Sequence, residues 1–145
     1  MKLNQINTLV LTRLRERFAD HPNALIEAGS PEGYIQGNEQ WPLITLLPLN
    51  ANPVIQGTAL KNTVTWQLSL ITQNHSGILT ELEQHLAKLT LALFDPSDRL
   101  NKLDGLLANP LELTSTDFIE ADSGQNWAAI VMQFTTPYTQ NLTQL

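Results

Sequence analysis

The histidines are the first residues that could do chemistry. His21 stands beside a proline that ends a predicted helix, His75 lies in a turn, and His85 lies on a predicted helix four residues after Glu81. A His/Glu pair at that spacing can face one metal ion, but no HExxH motif and no third ligand at a telling spacing accompanies it. The pattern therefore predicts solvated histidines, with His85 on an exposed polar helix face, and no metal site.

The remaining reactive residue types lack the spacing that catalysis needs. Glu112, Asp117, Glu120 and Asp122 cluster near a predicted hairpin, but nothing marks the cleft that paired catalytic carboxylates require. Residues 29–33 hold two glycines without the lysine and following helix of a phosphate-binding loop. No serine stands in a GxSxG context, and the absence of cysteine excludes a thiolate zinc site. We therefore expect no catalytic, cofactor-binding or metal-binding residues, and a protein that is not an enzyme.

Size and composition are those of one globular domain. The chain has 145 residues, of which 42% are hydrophobic, and its 8 basic against 14 acidic residues give a net charge of −6. That length suits a single domain covering residues 1–145. The acidic balance argues against a general nucleic-acid-binding surface, because phosphate repels it.

Helical periodicity occurs in three places. Apolar residues at three- and four-residue steps predict a helix from about residue 3 to 19 and a second from about 76 to 94. Ser97 is a plausible N-cap for a short third helix that carries Leu100, Leu103 and Leu107. Residues 28–42 and 50–60 are rich in glycine, proline and asparagine, and we expect irregular, mobile loops there.

Strand patterns fill the remainder of the chain. Short or alternating apolar runs predict strands over 43–47, 63–72, 111–119 and 127–136, with a hairpin turn at 122–125 and a frayed tail after Tyr138. In the best of these, Trp66 and Leu68 share one face, while Thr65 and Gln67 share the other. The order α-β-β-α-α-β-β predicts an α+β fold: one mainly antiparallel four-stranded sheet with helices packed on one face.

Several residues are candidates for contacts with another subunit or a partner. The three arginines of the first helix form either a solvated face or a contact with an acidic surface, such as the turn near residues 120–122. Trp41 lies on a loop, where an interface or ligand role is open, and Trp127 begins a strand that is apolar on both faces and suits either core or interface. The full set is Arg13, Arg15, Arg17, Trp41, Glu120, Asp122 and Trp127.

The layout of the chain resembles a known family, the phage and prophage tail terminator or tail-completion proteins that include the lambdoid minor tail protein U. The resemblance covers nearly the whole chain at the level of element order. It rests on four segments: the first helix over 3–18; the hairpin of 43–49 and 63–72 with its long connection; the helix over 79–93 with a short helix after it; and the hairpin that joins 111–120 to 127–138.

This resemblance implies a structural protein of the phage tail. Its protomers would assemble into a hexameric ring that caps the tail tube, stops tube growth and presents a surface for head joining. The implied partners are further copies, the tail tube protein and a head-completion or neck protein, with no membrane, and with DNA only as cargo passing an acidic channel. The implied location is the host cytoplasm during assembly and then the virion tail.

Two other functions remain open from the residues alone. One is a small-molecule-binding or regulatory α+β module with an apolar pocket between the helices and the sheet. The other is an enzyme whose site is too dispersed to recognise. The mass of the protein in solution separates the tail-tube ring from the ligand-binding module. A ring predicts a mass near six protomers, and a ligand-binding module predicts a monomer or dimer.

Overall fold

The computed structural model describes residues 2–119 and 126–144. They form one five-stranded sheet, in the order β1-β2-β3-β5-β4, together with three helices. The elements, in chain order, are α1 (Lys2–Arg17), β1 (Leu25–Ala28), α2 (Glu32–Ile35), β2 (Leu43–Gln56), β3 (Ala59–Gln73), α3 (Ile78–Leu93), β4 (Glu112–Ile119), β5 (Trp127–Asn141) and a final 3-10 turn (Leu142–Gln144).

The sheet is mixed rather than purely antiparallel. β1 runs parallel to the first residues of β2, and the β2–β3, β3–β5 and β5–β4 pairs are antiparallel. The single-sheet α+β class is confirmed, but the prediction of four strands is wrong because it missed β1. That strand has only four residues, too few to show a clear alternation.

The main core lies between one face of the sheet and the helices α1 and α3. Ile6, Val10 and Leu14 of α1 are buried there, and the sheet contributes Trp66 and Leu68. These two β3 side chains point to the helices because alternate residues of a strand face the same side, as the sequence predicted. Thr65 and Gln67, on the other face, are half-buried. The Trp66 Nε1–H donates to Thr136 Oγ1 at 2.8 Å, so its one polar atom is satisfied.

A smaller apolar cluster covers part of the opposite face. Leu43, Ile71 and Ala129 are its buried members. The half-buried residues packed on them are Leu25, Tyr34, Ile35, Trp41 and Trp127. Two of these come from the short helix α2, so the helices are not all on one side of the sheet as predicted. This cluster and the inner position of β5 in the sheet explain why that strand is apolar on both faces.

Three strands continue beyond the helices as an extension that we call the arm. It consists of residues 49–56 of β2, 59–63 of β3 and 137–141 of β5, which remain paired to the tip. Two predictions are therefore wrong: residues 50–60 are not an irregular loop, and the chain after Tyr138 is not frayed. Gly57, with a φ of 62°, makes the tight turn between β2 and β3. Tyr138 is buried, and its hydroxyl accepts a hydrogen bond from Asn62.

The predicted third helix does not form. Residues 95–111 make successive turns, with positive φ at Asn101, Leu103 and Asp104, which a right-handed helix does not allow. Leu103 and Leu107 are nevertheless buried in the main core. Their spacing therefore reflects burial of one side of a folded loop and not helical periodicity.

Candidate interaction surfaces

Arg13 ties helix α1 to the loop over 95–111. Its side chain is 6% exposed, and its Nη2 lies 3.2 Å from Asp98 Oδ2 and 3.1 Å from Asp104 Oδ1. Asp98 also accepts hydrogen bonds from the backbone N–H groups of Lys102 and Asp104. The prediction of a surface role for Arg13 is therefore wrong, because its charge is neutralised inside its own chain.

The other two arginines of α1 also bond to their own chain. Arg15 donates to the carbonyl oxygen of Ile26 at 2.9 Å, and Arg17 lies 3.4 Å from Asp95 Oδ2. Hydrogen bonds from Ser97, with a smaller contribution from Arg17, lower the pKa of the Asp95 carboxyl below its ordinary value. Both arginines keep exposed surface, so a partner contact there stays a prediction. Glu120 and Asp122, their predicted counterparts, lie outside the described residues.

His21 and His85 meet at the corner between α1 and α3. The His85 ring is 2% exposed, with its centroid 5.6 Å from that of Phe18 and 5.3 Å from that of His21. Burial lowers its pKa, and Glu81, with an oxygen 3.9 Å from Nε2, opposes that shift. The prediction of an exposed His85 is wrong. Its place three residues after the buried Leu82 is the sequence signal that indicated burial.

The same corner does not have the geometry of a metal site. Among residues 2–119 and 126–144, no group of three or more potential ligands is arranged to hold a metal ion. His75 lies nearest to such a role, with Nε2 3.4 Å from Glu81 Oε2. Its Nδ1, however, accepts the backbone N–H of Gly77 at 3.0 Å, so that ring nitrogen is already engaged within the chain.

The two partly exposed tryptophans, Trp41 and Trp127, both pack against residues of their own chain. Trp41 and Trp127 pack against the small cluster of Leu43, Ile71 and Ala129. Each keeps part of its ring accessible. Packing within the chain accounts for the covered part of each ring, and an interface role for the accessible part stays a prediction.

Exposed apolar side chains concentrate at two edges of the sheet. Six of the ten large apolar side chains exposed among the described residues lie in β2 or β4. In β2 they are Leu49, Val54 and Ile55, and in β4 they are Leu113, Phe118 and Ile119. Sequence reasoning missed the first group because the predicted strand stopped at residue 47. Exposed apolar side chains that concentrate along a sheet edge are a feature of interaction sites.

A cavity of about 260 Å³ opens between the first turns of α1 and the middle of β2. Apolar side chains form most of its wall, and none of the residues that line it is titratable. They are Leu3, Asn4, Asn7, Ala28, Gly29, Leu46, Pro48 and Trp66. The cavity suits an apolar group and offers only two amide side chains for orienting one.

The similarity of this chain to known proteins is weak and is seen in structure alone. No family model matches the chain. No curated protein matches it either. Among solved structures, the chain is similar to one from the virion of a native gene transfer agent particle, with 14% identity and a TM-score of 0.47 over 88% of this chain and 84% of that one. No helix among the described residues is both long and apolar enough to cross a membrane.

Proposed function

We propose that this chain is a structural protein of phage or prophage tails that closes into a ring on the end of the tail tube. The ring stops tube growth and gives an interface for head joining. The observation that carries the proposal is the pair of unlike apolar edges on one sheet. A closed ring of more than two subunits needs two different complementary patches on each subunit, and the two edges are such patches.

Both edges are open in the described part of the fold. β4 pairs only with β5, so its outer side carries no strand. β1 covers β2 only from Leu43 to Leu46, which leaves the rest of β2 paired on one side. Sheet edges with exposed apolar side chains are places where a second chain binds.

The layout resemblance sets the details of the proposal. It implies a hexameric ring. The implied partners of the ring are a tail tube protein on one side and a head-completion or neck protein on the other. The net charge of −6 fits a channel through which DNA slides without binding, because like charges repel. In this function the protein performs no catalysis and holds no cofactor.

The deciding experiment adds purified protein to growing tail tubes and images the tubes by electron microscopy. We expect shorter tubes with a ring of density at one end. Ile55→Asp should abolish the capping, because Ile55 is 68% exposed on one of the two edges. Leu79→Asp is the matched control, because Leu79 is 67% exposed but lies on α3, away from both edges. Tubes that grow on unchanged, with bare ends, would refute the proposal.

The cavity favours a second candidate function, a small-molecule-binding or regulatory module. Its wall includes the Trp66 ring, so an apolar ligand bound there would change the tryptophan fluorescence. A monomer or dimer that binds an apolar fluorescent probe, and loses that binding when Ala28→Leu enlarges a side chain that lines the cavity, would support this alternative. A large assembly of this chain that does not bind tube ends would contradict both the tail role and the ligand-binding module.

A further inference from the structure

We propose that the arm of one copy receives β4 of the next copy, so that this pair of surfaces is the subunit contact. The inference rests on the proposed function for its occupant, a second copy of this chain. It is independent of a contact through the arginines of α1, of which Arg13 is buried and Arg15 and Arg17 also bond within the chain.

On the side of the sheet that faces the helices, both surfaces are apolar. Register places Ile55 opposite Leu60, and Pro53 opposite Asn62, on the same side of the sheet as Trp66. In β4, Leu113 lies opposite Phe134 and Phe118 opposite Ile130, whose side chains are in the main core. Ile55 of the arm and Leu113 and Phe118 of β4 thus share the helix-facing side of the sheet, whereas the exposed side chains of Val54 and Ile119 lie on the other side.

On the other side of the sheet, the two surfaces carry opposite charges. Lys61 is the one charged residue between 43 and 63, and it lies beside Val54 on the face away from the helices. β4 holds two acidic residues and no basic one: Glu112 and Asp117, opposite Thr135 and Val131, on that same face. All three charged side chains are exposed. Apolar groups would therefore meet on the helix-facing side, and opposite charges would meet on the other side, where Val54 and Ile119 are also exposed.

Strand direction allows this arrangement to repeat. β2 is antiparallel to β3, β3 to β5, and β5 to β4, so β2 and β4 run in opposite directions at opposite edges of the sheet. β4 of one copy, laid beside the arm of the next, continues the sheet antiparallel and leaves a further free edge for a third copy. Pro48 and Pro53 cannot donate backbone hydrogen bonds, so side chains carry the contact rather than a complete ladder.

A charge exchange tests the pairing. Lys61→Glu and Asp117→Lys should each weaken self-association about tenfold at low salt, and the double variant should recover most of that loss. Arg99→Glu and Glu83→Lys are the matched controls, because they make the same charge changes at exposed positions outside both surfaces. Sedimentation velocity at several protein concentrations measures the association. Equal weakening by the controls, or a double variant no better than the single ones, would overturn the inference.

Cysteine cross-linking tests the same contact without relying on charge or on stable assembly. The chain contains no cysteine, so Ile55→Cys with Phe118→Cys introduces the only two thiols. Mild oxidation should give a ladder of dimers, trimers and larger species, because each copy joins two neighbours through different residues. The pair Leu79→Cys with Leu100→Cys, both 67% exposed elsewhere, is the control. No ladder, or an equal ladder from the control, would overturn the inference.

The two experiments separate this inference from the function. A ladder and a charge rescue without capped tubes would support the contact and refute the tail role. Capped tubes without a ladder or a rescue would support the tail role and refute this contact.

Discussion

The two ends of strand β2 have opposite environments although both pair with β3, on either side of a register shift between Pro48 and Asn50. Leu43, Ile44 and Leu46 at its start are at most 1% exposed, with cover on both faces of the sheet. Val54 and Ile55 near its end are 48% and 68% exposed, without any packed cover in the described residues. Strand pairing is therefore independent of burial here: the first, covered half of β2 belongs to the core, while its second half offers surface.

This comparison predicts that stability resides in the covered half, and Trp66 gives the largest expected effect. Trp66→Ala should lower the free energy of unfolding by about 3–5 kcal/mol, because it removes a fully buried ring and the hydrogen bond that this ring donates to the Thr136 hydroxyl. Urea unfolding followed by circular dichroism measures the loss. A midpoint that does not move would mean that the core has been placed on the wrong part of β3.

The loop over 95–111 should be the next most sensitive region, through Asp98. Asp98→Asn removes the charge that faces the buried Arg13 guanidinium, and we expect a loss of about 1.5–3 kcal/mol in unfolding free energy. Asp104→Asn is the matched control, since its side chain is 58% exposed and its ion pair is screened by solvent. If the two variants lose the same unfolding free energy, burial of the Arg13–Asp98 ion pair is not the source of its contribution to stability.

The α1–α3 corner should make the covered half sensitive to mild acid. The folded state lowers the pKa of His85, mainly by burial, so the unfolded chain binds the proton more readily. Stability should therefore fall as the pH drops below the ordinary histidine value of about 6.5, and level off once the folded form is protonated too. His85→Leu should flatten this dependence between pH 7 and 5. A parallel pH profile in wild type and variant would contradict the assignment.

The arm should show the smallest effect on stability and the clearest effect on association. Ile55→Ala removes an exposed side chain, so the unfolding free energy should change by no more than about 0.5 kcal/mol. The same variant should weaken self-association, as light scattering over a concentration series can show. A large loss of stability would mean that the arm belongs to the core, and the contrast between the two halves of β2 would disappear.

The predictions that succeeded from sequence were those on long periodic segments. The stripe of α1 and the alternation around Trp66 gave the correct elements and the correct buried face. The arm was missed because its asparagines and prolines have low strand propensity, and pairing to β3 overrides that preference. β1 was missed because four residues carry too little pattern.

Polar residues on the apolar side of a helix were the other source of error. Arg13 and His85 lie at core-facing positions of α1 and α3, yet residue type alone suggested solvent. Burial of Arg13 depends on Asp98, a carboxylate 85 residues away, and single-sequence reasoning does not find such a partner. The free edges that carry the functional proposal likewise depend on which strands are neighbours, a property of topology.

The inner place of β5 has a consequence for synthesis on the ribosome. It lies between β3 and β4, yet it is the last of the five strands to emerge. Until it inserts, β3 lacks a partner on one side and β4 has none, so the nascent chain holds no finished sheet. Contacts of such long sequence separation form slowly. If copies associate through β4 as proposed, they can do so only after β5 has been made, because β5 is the strand that holds β4 in the sheet.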